Sequence, residues 1–177
     1  MVEAVRAENL QALTHVLDKG ADPNARVDVG YRYPSRTLGH EAPVLALAAY
    51  LGNWEIVQVL AEKGANVNGV CIEGLVYPFS DDPYFFESGS VLCVAAEAGH
   101  YVIVDILIAM GASIDGNIRA PLIGAARKGH SMIVERLLRE GADPNREDGD
   151  YRTPLYYATA AGFAEIVRNL LDYGAQS

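Results

Sequence analysis

The chain has 177 residues; half are apolar and 21% are charged, a composition that folds and argues against disorder. No apolar run reaches the ~20 residues of a membrane-crossing helix. The net charge of −9 argues against nucleic acid or an anionic lipid surface as partner. In chain order, the opening MVEAVRAENL has neither the basic nor the apolar region of a secretory leader. An amphipathic helix is predicted over LQALTHVL, closed by the turn KGADPN at 19–24. A stretch of eighteen residues follows, 25–42. Next come an Ala-rich helix over LALAAYLG, an amphipathic one over WEIVQVLA, and the turn KGANVN at 63–68. A second long stretch, 69–89, precedes the third such pair, CVAAEAG and YVIVDILI, with MGASID at 110–115. The fourth pair is GAARKG and SMIVERLL with EGADPN at 140–145, and the fifth is YATAAG and AEIVRNLL with YGAQS at 173–177.

The chain is therefore an internal repeat: helix, tight turn, helix, turn. The turn glycines Gly20, Gly64, Gly111, Gly141 and Gly174 are spaced by 44, 47, 30 and 33 residues. Each is suited to the left-handed conformation that ends a helix, and the Asp or Asn behind it to a side-chain-stabilised turn. Paired alanines such as Ala48-Ala49, Ala95-Ala96 and Ala125-Ala126 let neighbouring helices pack closely. One unit cannot bury its apolar face alone, but a stack can.

These units resemble ankyrin repeats, in RTPLYYATAAGFAEIVRNLLDYGA, in APLIGAARKGHSMIVERLLREGADPN, and in the matching stretches at 43–68 and 90–115. The first copy, AVRAENLQALTHVLDKGADPN, lacks the opening turn. The resemblance implies an all-α solenoid of stacked helix-turn-helix units with projecting β-turn or hairpin fingers. One domain is expected over 1–177, with repeats at about 1–24, 43–68, 90–115, 120–145 and 153–177, and long insertions at 25–42 and 69–89. Where the family has Thr-Pro-Leu-His, the histidine position holds Ala46, Cys93, Ile123 and Tyr156. Hydrophobic packing is therefore expected in place of turn-to-turn hydrogen bonds. The last copy keeps an internal apolar pattern and the first begins inside a motif, which gives the expectation of a segment of a longer protein or, alternatively, of an end covered by a partner.

Loops beyond about 12–15 residues without structure of their own are usually functional or disordered, so the two insertions are the best functional clue. GVCIEGLVYPFSDDPYFFESG holds Tyr77, Phe79, Tyr84, Phe85 and Phe86 beside Asp81 and Asp82, with no lysine or arginine. Aromatic anchors ringed by polar groups suit a binding hot spot; alternatively the rings fold back as a satellite core. ARVDVGYRYPSRTLGHEA pairs Tyr31 and Tyr33 with Arg26, Arg32 and Arg36, which could meet the acidic neighbouring insertion or an acidic partner. The resemblance also implies that the two residues before each glycine ending a first helix face a concave groove. Here they include Tyr50 and Leu51, Glu97, and Arg127 with Lys128, the last two alternatively a solvated helix end.

Catalytic readings fail. GHSMI at 129–133 lacks the final glycine of a nucleophile elbow and falls on the helix-turn-helix register. His15, His40, His100 and His130 are dispersed, His100 and His130 recurring at one repeat position as packing or turn residues rather than a metal pair. No catalytic residue, metal or cofactor is expected. The expected function is a non-catalytic protein-protein interaction module that holds another protein through its concave face and long fingers. An alternative is an inhibitor or immunity-type protein whose acidic aromatic finger blocks a basic site on an enzyme or toxin. Residues 1–110 hold fourteen acids and six bases, net −8, which motivates it. A spacer whose inserts pack back is a third reading. Two cysteines without zinc or disulfide spacing suggest an intracellular, cytoplasmic setting.

Overall fold

A computed structural model describes residues 1–28, 41–71, 89–116 and 120–176. Ten helices run through these residues as five antiparallel pairs. They are α1 (Val2–Arg6) with α2 (Leu10–Asp18), α3 (Val44–Leu51) with α4 (Trp54–Glu62), and α5 (Val91–Ala98) with α6 (Tyr101–Ala109). The fourth pair is α7 (Pro121–Lys128) with α8 (Ser131–Arg139), and the fifth α9 (Pro154–Ala161) with α10 (Ala164–Asp172). The first helices of the pairs pack in a row, α1 on α3 on α5 on α7 on α9, and the second helices form a parallel row behind them. The expected all-α solenoid is what the chain forms.

The two rows differ in sequence because they differ in surroundings. A first helix lies between two like itself and its own partner, so nearly its whole circumference is buried: Val44 through Ala49 in α3 and Val91 through Glu97 in α5. Its alanines let the axes approach. A second helix is covered on one side only and carries a single apolar stripe, such as Ile56, Val57 and Leu60 in α4 or Ile133, Val134 and Leu137 in α8. Starts are fixed by local caps. Asn9, Asn53, Ser90 and Thr153 each accept a hydrogen bond from the backbone N–H three residues on. Pro121 and Pro154 occupy the first turn, where an N–H is not needed.

Both long insertions leave the stack through a short antiparallel ladder. β1 (Arg26–Asp28) pairs with β2 (Glu41–Pro43), and β3 (Val70–Cys71) pairs with β4 (Gly89–Ser90). Val27, 3% exposed, ties the first ladder into the core. The hairpin form expected of the fingers is present at these bases.

The turns are joined by hydrogen bonds, which corrects the expectation that packing alone links them. The joining residue lies four positions after the turn glycine. Asn24 Oδ1 accepts from the Asn66 N–H at 2.7 Å, and Asn24 Nδ2 donates to the Gly64 carbonyl at 3.1 Å. Asn68 bonds the Ser113 N–H and the Gly111 carbonyl in the same way, as does Asn145 the Gln176 N–H and the Gly174 carbonyl. At the remaining step the residue is Asp115, which accepts from the Asp143 N–H at 3.0 Å but has no N–H to give. The residue two after glycine makes the local turn instead: Asp22, Asn66 and Asp143 each accept from the N–H two residues on.

The second link between units is a ring on a glycine. The glycines that end α3, α5, α7 and α9 all have φ between +74° and +82°. A Cβ placed on Gly52 would lie 2.6 Å from the His100 ring, one on Gly99 2.6 Å from His130, and one on Gly129 2.8 Å from Phe163. His100 Nε2 reaches the Tyr50 carbonyl at 3.0 Å and His130 Nε2 the Glu97 carbonyl at 3.1 Å. A carbonyl only accepts, so Nε2 carries the proton in both. Packing and turn chemistry, expected of these two histidines, is what they perform. Phe163 keeps the ring and lacks the donor.

Candidate functional site

The residues named from the sequence fall into two sets. Tyr31, Tyr33, Tyr77, Phe79, Asp81, Asp82, Tyr84, Phe85 and Phe86 lie outside the described residues. Their insertions start and end side by side, since β2 also packs against β3, and Arg26 donates to the Val70 carbonyl at 3.4 Å. The two long insertions thus rise from one joined base.

The second set lies at the C-terminal ends of the first helices. Leu51 is 39% exposed, whereas Tyr50 is half-buried, and burial pushes its hydroxyl above the usual tyrosine pKa. Trp54, 45% exposed, begins the next helix. Glu97 is only 5% exposed and its carboxylate is ion-paired to Arg127 of the next unit. Gly124 makes room for it, since a Cβ there would come within 3.3 Å of the Glu97 Cβ. Arg127 is therefore not a solvated helix end: its head lies against a buried carboxylate and 5.9 Å from the Tyr157 ring centroid. A buried pair of this kind costs desolvation that its attraction offsets only while both partners are present. Lys128 beside it is exposed.

A third group was not singled out from the sequence. Between α8 and α9 the loop REDGDYR folds around Asp148. Its Oδ1 accepts from the Asp150 and Arg152 N–H groups, its Oδ2 accepts from the Tyr157 hydroxyl at 2.6 Å, and its own N–H donates to the Arg152 carbonyl. Partial burial pushes the Asp148 carboxyl up, but the Tyr157 hydroxyl and the two amides outweigh it and hold the group below the ordinary aspartate value. Burial and the Asp148 bond push the Tyr157 hydroxyl up. Tyr151 projects from this loop 83% exposed, and Tyr156 in the first turn of α9 is 52% exposed with Arg152 stacked 5.6 Å from its centroid. The signal available in the sequence was a tyrosine inside a tight polar turn, passed over because the connection has regular length.

Among the described residues no cluster of three or more metal-ligating side chains occurs, and Ser131 serves as the first residue of α8. No described helix is long and apolar enough to cross a membrane.

Family models confirm the architecture. A model of three-copy ankyrin repeats matches residues 70–148 and 92–177, and a single ankyrin-repeat model matches residues 43–71. The chain belongs to the ankyrin-repeat family. A search of curated proteins finds no match. Ankyrin repeats are generally protein-protein interaction modules and typically non-catalytic. In this ankyrin-repeat protein the large apolar side chains exposed among the described residues are spread over both rows: Leu51 and Tyr156 on first helices, Trp54, Val102, Met132 and Leu171 on second helices, and Tyr151 and Tyr173 in turns.

Proposed function

We propose that the chain is a non-catalytic protein-binding module whose partner lies along the first-helix ends and between the two long insertions. Tyr50, Leu51 and Lys128 supply contacts along the groove. Glu97 and Arg127 brace its wall rather than reach out. Tyr31, Tyr33, Tyr77, Phe79, Tyr84, Phe85 and Phe86 supply aromatic anchors, with Asp81 and Asp82 at a loop tip. The observation that carries this reading is the joined base, where the ladders from which insertions of eighteen and twenty-one residues leave the stack pack against each other. Rigid framework with variable loops is the usual division of labour for recognition.

The test replaces residues 77–87 by Gly and Ser and compares affinity purification with the intact protein. A partner held only by the intact protein supports the insertion as the site. Equal capture by both moves the site to Tyr50 and Leu51. A second reading, a plug for a basic site on an enzyme or toxin, is favoured by the base-free second insertion and the net −8 over residues 1–110. It requires association that weakens steeply with salt.

A further inference from the structure

The loop between α8 and α9 holds a tyrosine where tyrosine is poorly suited. Tyr151 has φ +60°, a left-handed backbone that glycine enters freely and an L side chain enters only against repulsion between its Cβ and the backbone. The strain is enforced: the Tyr151 N–H is held by the Asp148 carbonyl at 3.1 Å, and Asp148 locks the residues on either side. Nothing inside the protein repays it, because the ring is 83% exposed. Strain kept by surrounding structure and unrewarded by burial points to a use outside the fold.

The neighbours give that use a chemistry. Tyr156 offers a second half-exposed ring, and Arg152 stacks against it. Arg152 pairs with Asp150 at 3.3 Å, with side chains 45% and 66% exposed. A pair so open to water is worth little, and a bond to the Tyr157 hydroxyl holds the guanidinium in place independently of it, so Asp150 is exchangeable for another carboxylate. Residues 111–177 carry nine acids and eight bases, net −1, against −8 for residues 1–110. An acidic ligand is therefore repelled far less at this end. We propose that Tyr151, Tyr156 and Arg152 form a peptide-docking anchor that takes a polypeptide segment with an apolar side chain, proline included, next to a carboxylate. This rests on the reading of the chain as a protein-binding module and adds a third contact region to it.

The probe is a display library of random dodecapeptides panned on the intact protein, the 77–87 Gly/Ser variant and three Tyr151 variants. Peptides enriched on the intact protein are expected to combine an apolar residue with Asp or Glu and to bind Tyr151→Phe equally. They should lose at least about tenfold in affinity on Tyr151→Gly and Tyr151→Ala. The melting temperature should rise by about 2–4 °C in Tyr151→Gly, which relieves the strain, and stay level in Tyr151→Ala, which keeps it. Loss of binding by a more stable protein cannot come from misfolding. Peptides that bind Tyr151→Gly undiminished and fail on the 77–87 variant overturn the anchor and leave the wider reading standing. No enrichment on any version overturns both, and a lower melting temperature for Tyr151→Gly overturns the strain argument.

Discussion

Gly52, Gly99 and Gly129 are each needed twice, for a positive φ and for the space that a ring from the next unit occupies. Gly162 shares the φ, at +74°, but nothing lies within 4 Å of where its Cβ would stand. Gly99→Ala should therefore cost about 2–3 kcal/mol and Gly162→Ala only about 1 kcal/mol. The first unit shows the converse. Glu8 holds the equivalent place with φ +52°, and the next unit presents Asn53, whose side chain turns back to cap its own helix. A side chain fits there, but the backbone is strained, so Glu8→Gly should gain about 1 kcal/mol. Urea unfolding of the three variants checks the order. Asp148 adds a pH dependence. Its folded-state pKa lies below the ordinary value of about 3.9, because the bonds from Tyr157, Arg152 and Asp150 outweigh its burial. Its contribution is complete above the unfolded value and is lost as pH falls through the folded one. Asp148→Asn should flatten that part of the melting curve below about pH 4 while lowering stability at neutral pH; thermal melts from pH 7 to pH 2 read both effects.

At the scale of the elements, helices and turns were legible because each carries its own signal: alanine pairs for close packing, a 3.6-residue apolar stripe, and glycine with Asp or Asn for the stop. The links between units were not. The absent Thr-Pro-Leu-His histidine suggested that the turns were unbonded, yet Asn24, Asn68 and Asn145 bond them from a different position. Read locally, GADPN needs only its aspartate to make a turn. The asparagine two residues later is spare, and its recurrence at one offset from glycine was the available signal. His100 and His130 were read as packing or turn residues, but their partners were not legible, because a carbonyl fifty or thirty-three residues away leaves no mark in the local sequence. Asn68→Ala removes two inter-turn bonds and should cost about 1–2 kcal/mol. Asp115→Asn restores the missing donor toward the next turn and should gain about 0.5–1 kcal/mol. Chemical denaturation of the two variants gives opposite signs if the ladder is as described.

Across the whole molecule, burial is uneven along the stack in a way that sets where it loosens. Positions equivalent to Tyr156 are buried in the units before it, Ala46 at 0%, Cys93 at 2% and Ile123 at 1%, while Tyr156 is 52% exposed. Leu138 is 3% exposed and its equivalent Leu171 is 51% exposed. Leu138→Ala should cost about 3 kcal/mol, whereas Leu171→Ala should cost less than about 1 kcal/mol. Because each unit touches chiefly its neighbours, hydrogen exchange should find α9 and α10 opening before α5 and α7. The candidate site divides along the same line between what sequence could reach and what it could not. Leu51 and Lys128 were named from their register before a helix-ending glycine, and both are exposed, but the burial of Glu97 against Arg127 depends on Gly124 of a neighbouring helix. Tyr151 owes its prominence to a backbone angle that no residue pattern spells out.

The ladders at the feet of the insertions make the length of an insertion irrelevant to the stack. Turn glycines are 44 and 47 residues apart across the insertions and 30 and 33 elsewhere. Even so, Asn24 meets Asn66 at the same 2.7 Å at which Asn145 meets Gln176. Whatever is threaded between Asp28 and Glu41, or between Cys71 and Gly89, is gathered back to one point before the next helix begins. The molecule is thus a rack with two sockets: foreign segments can be spliced into either without re-spacing the helices, so recognition can diversify while the frame that displays it stays fixed.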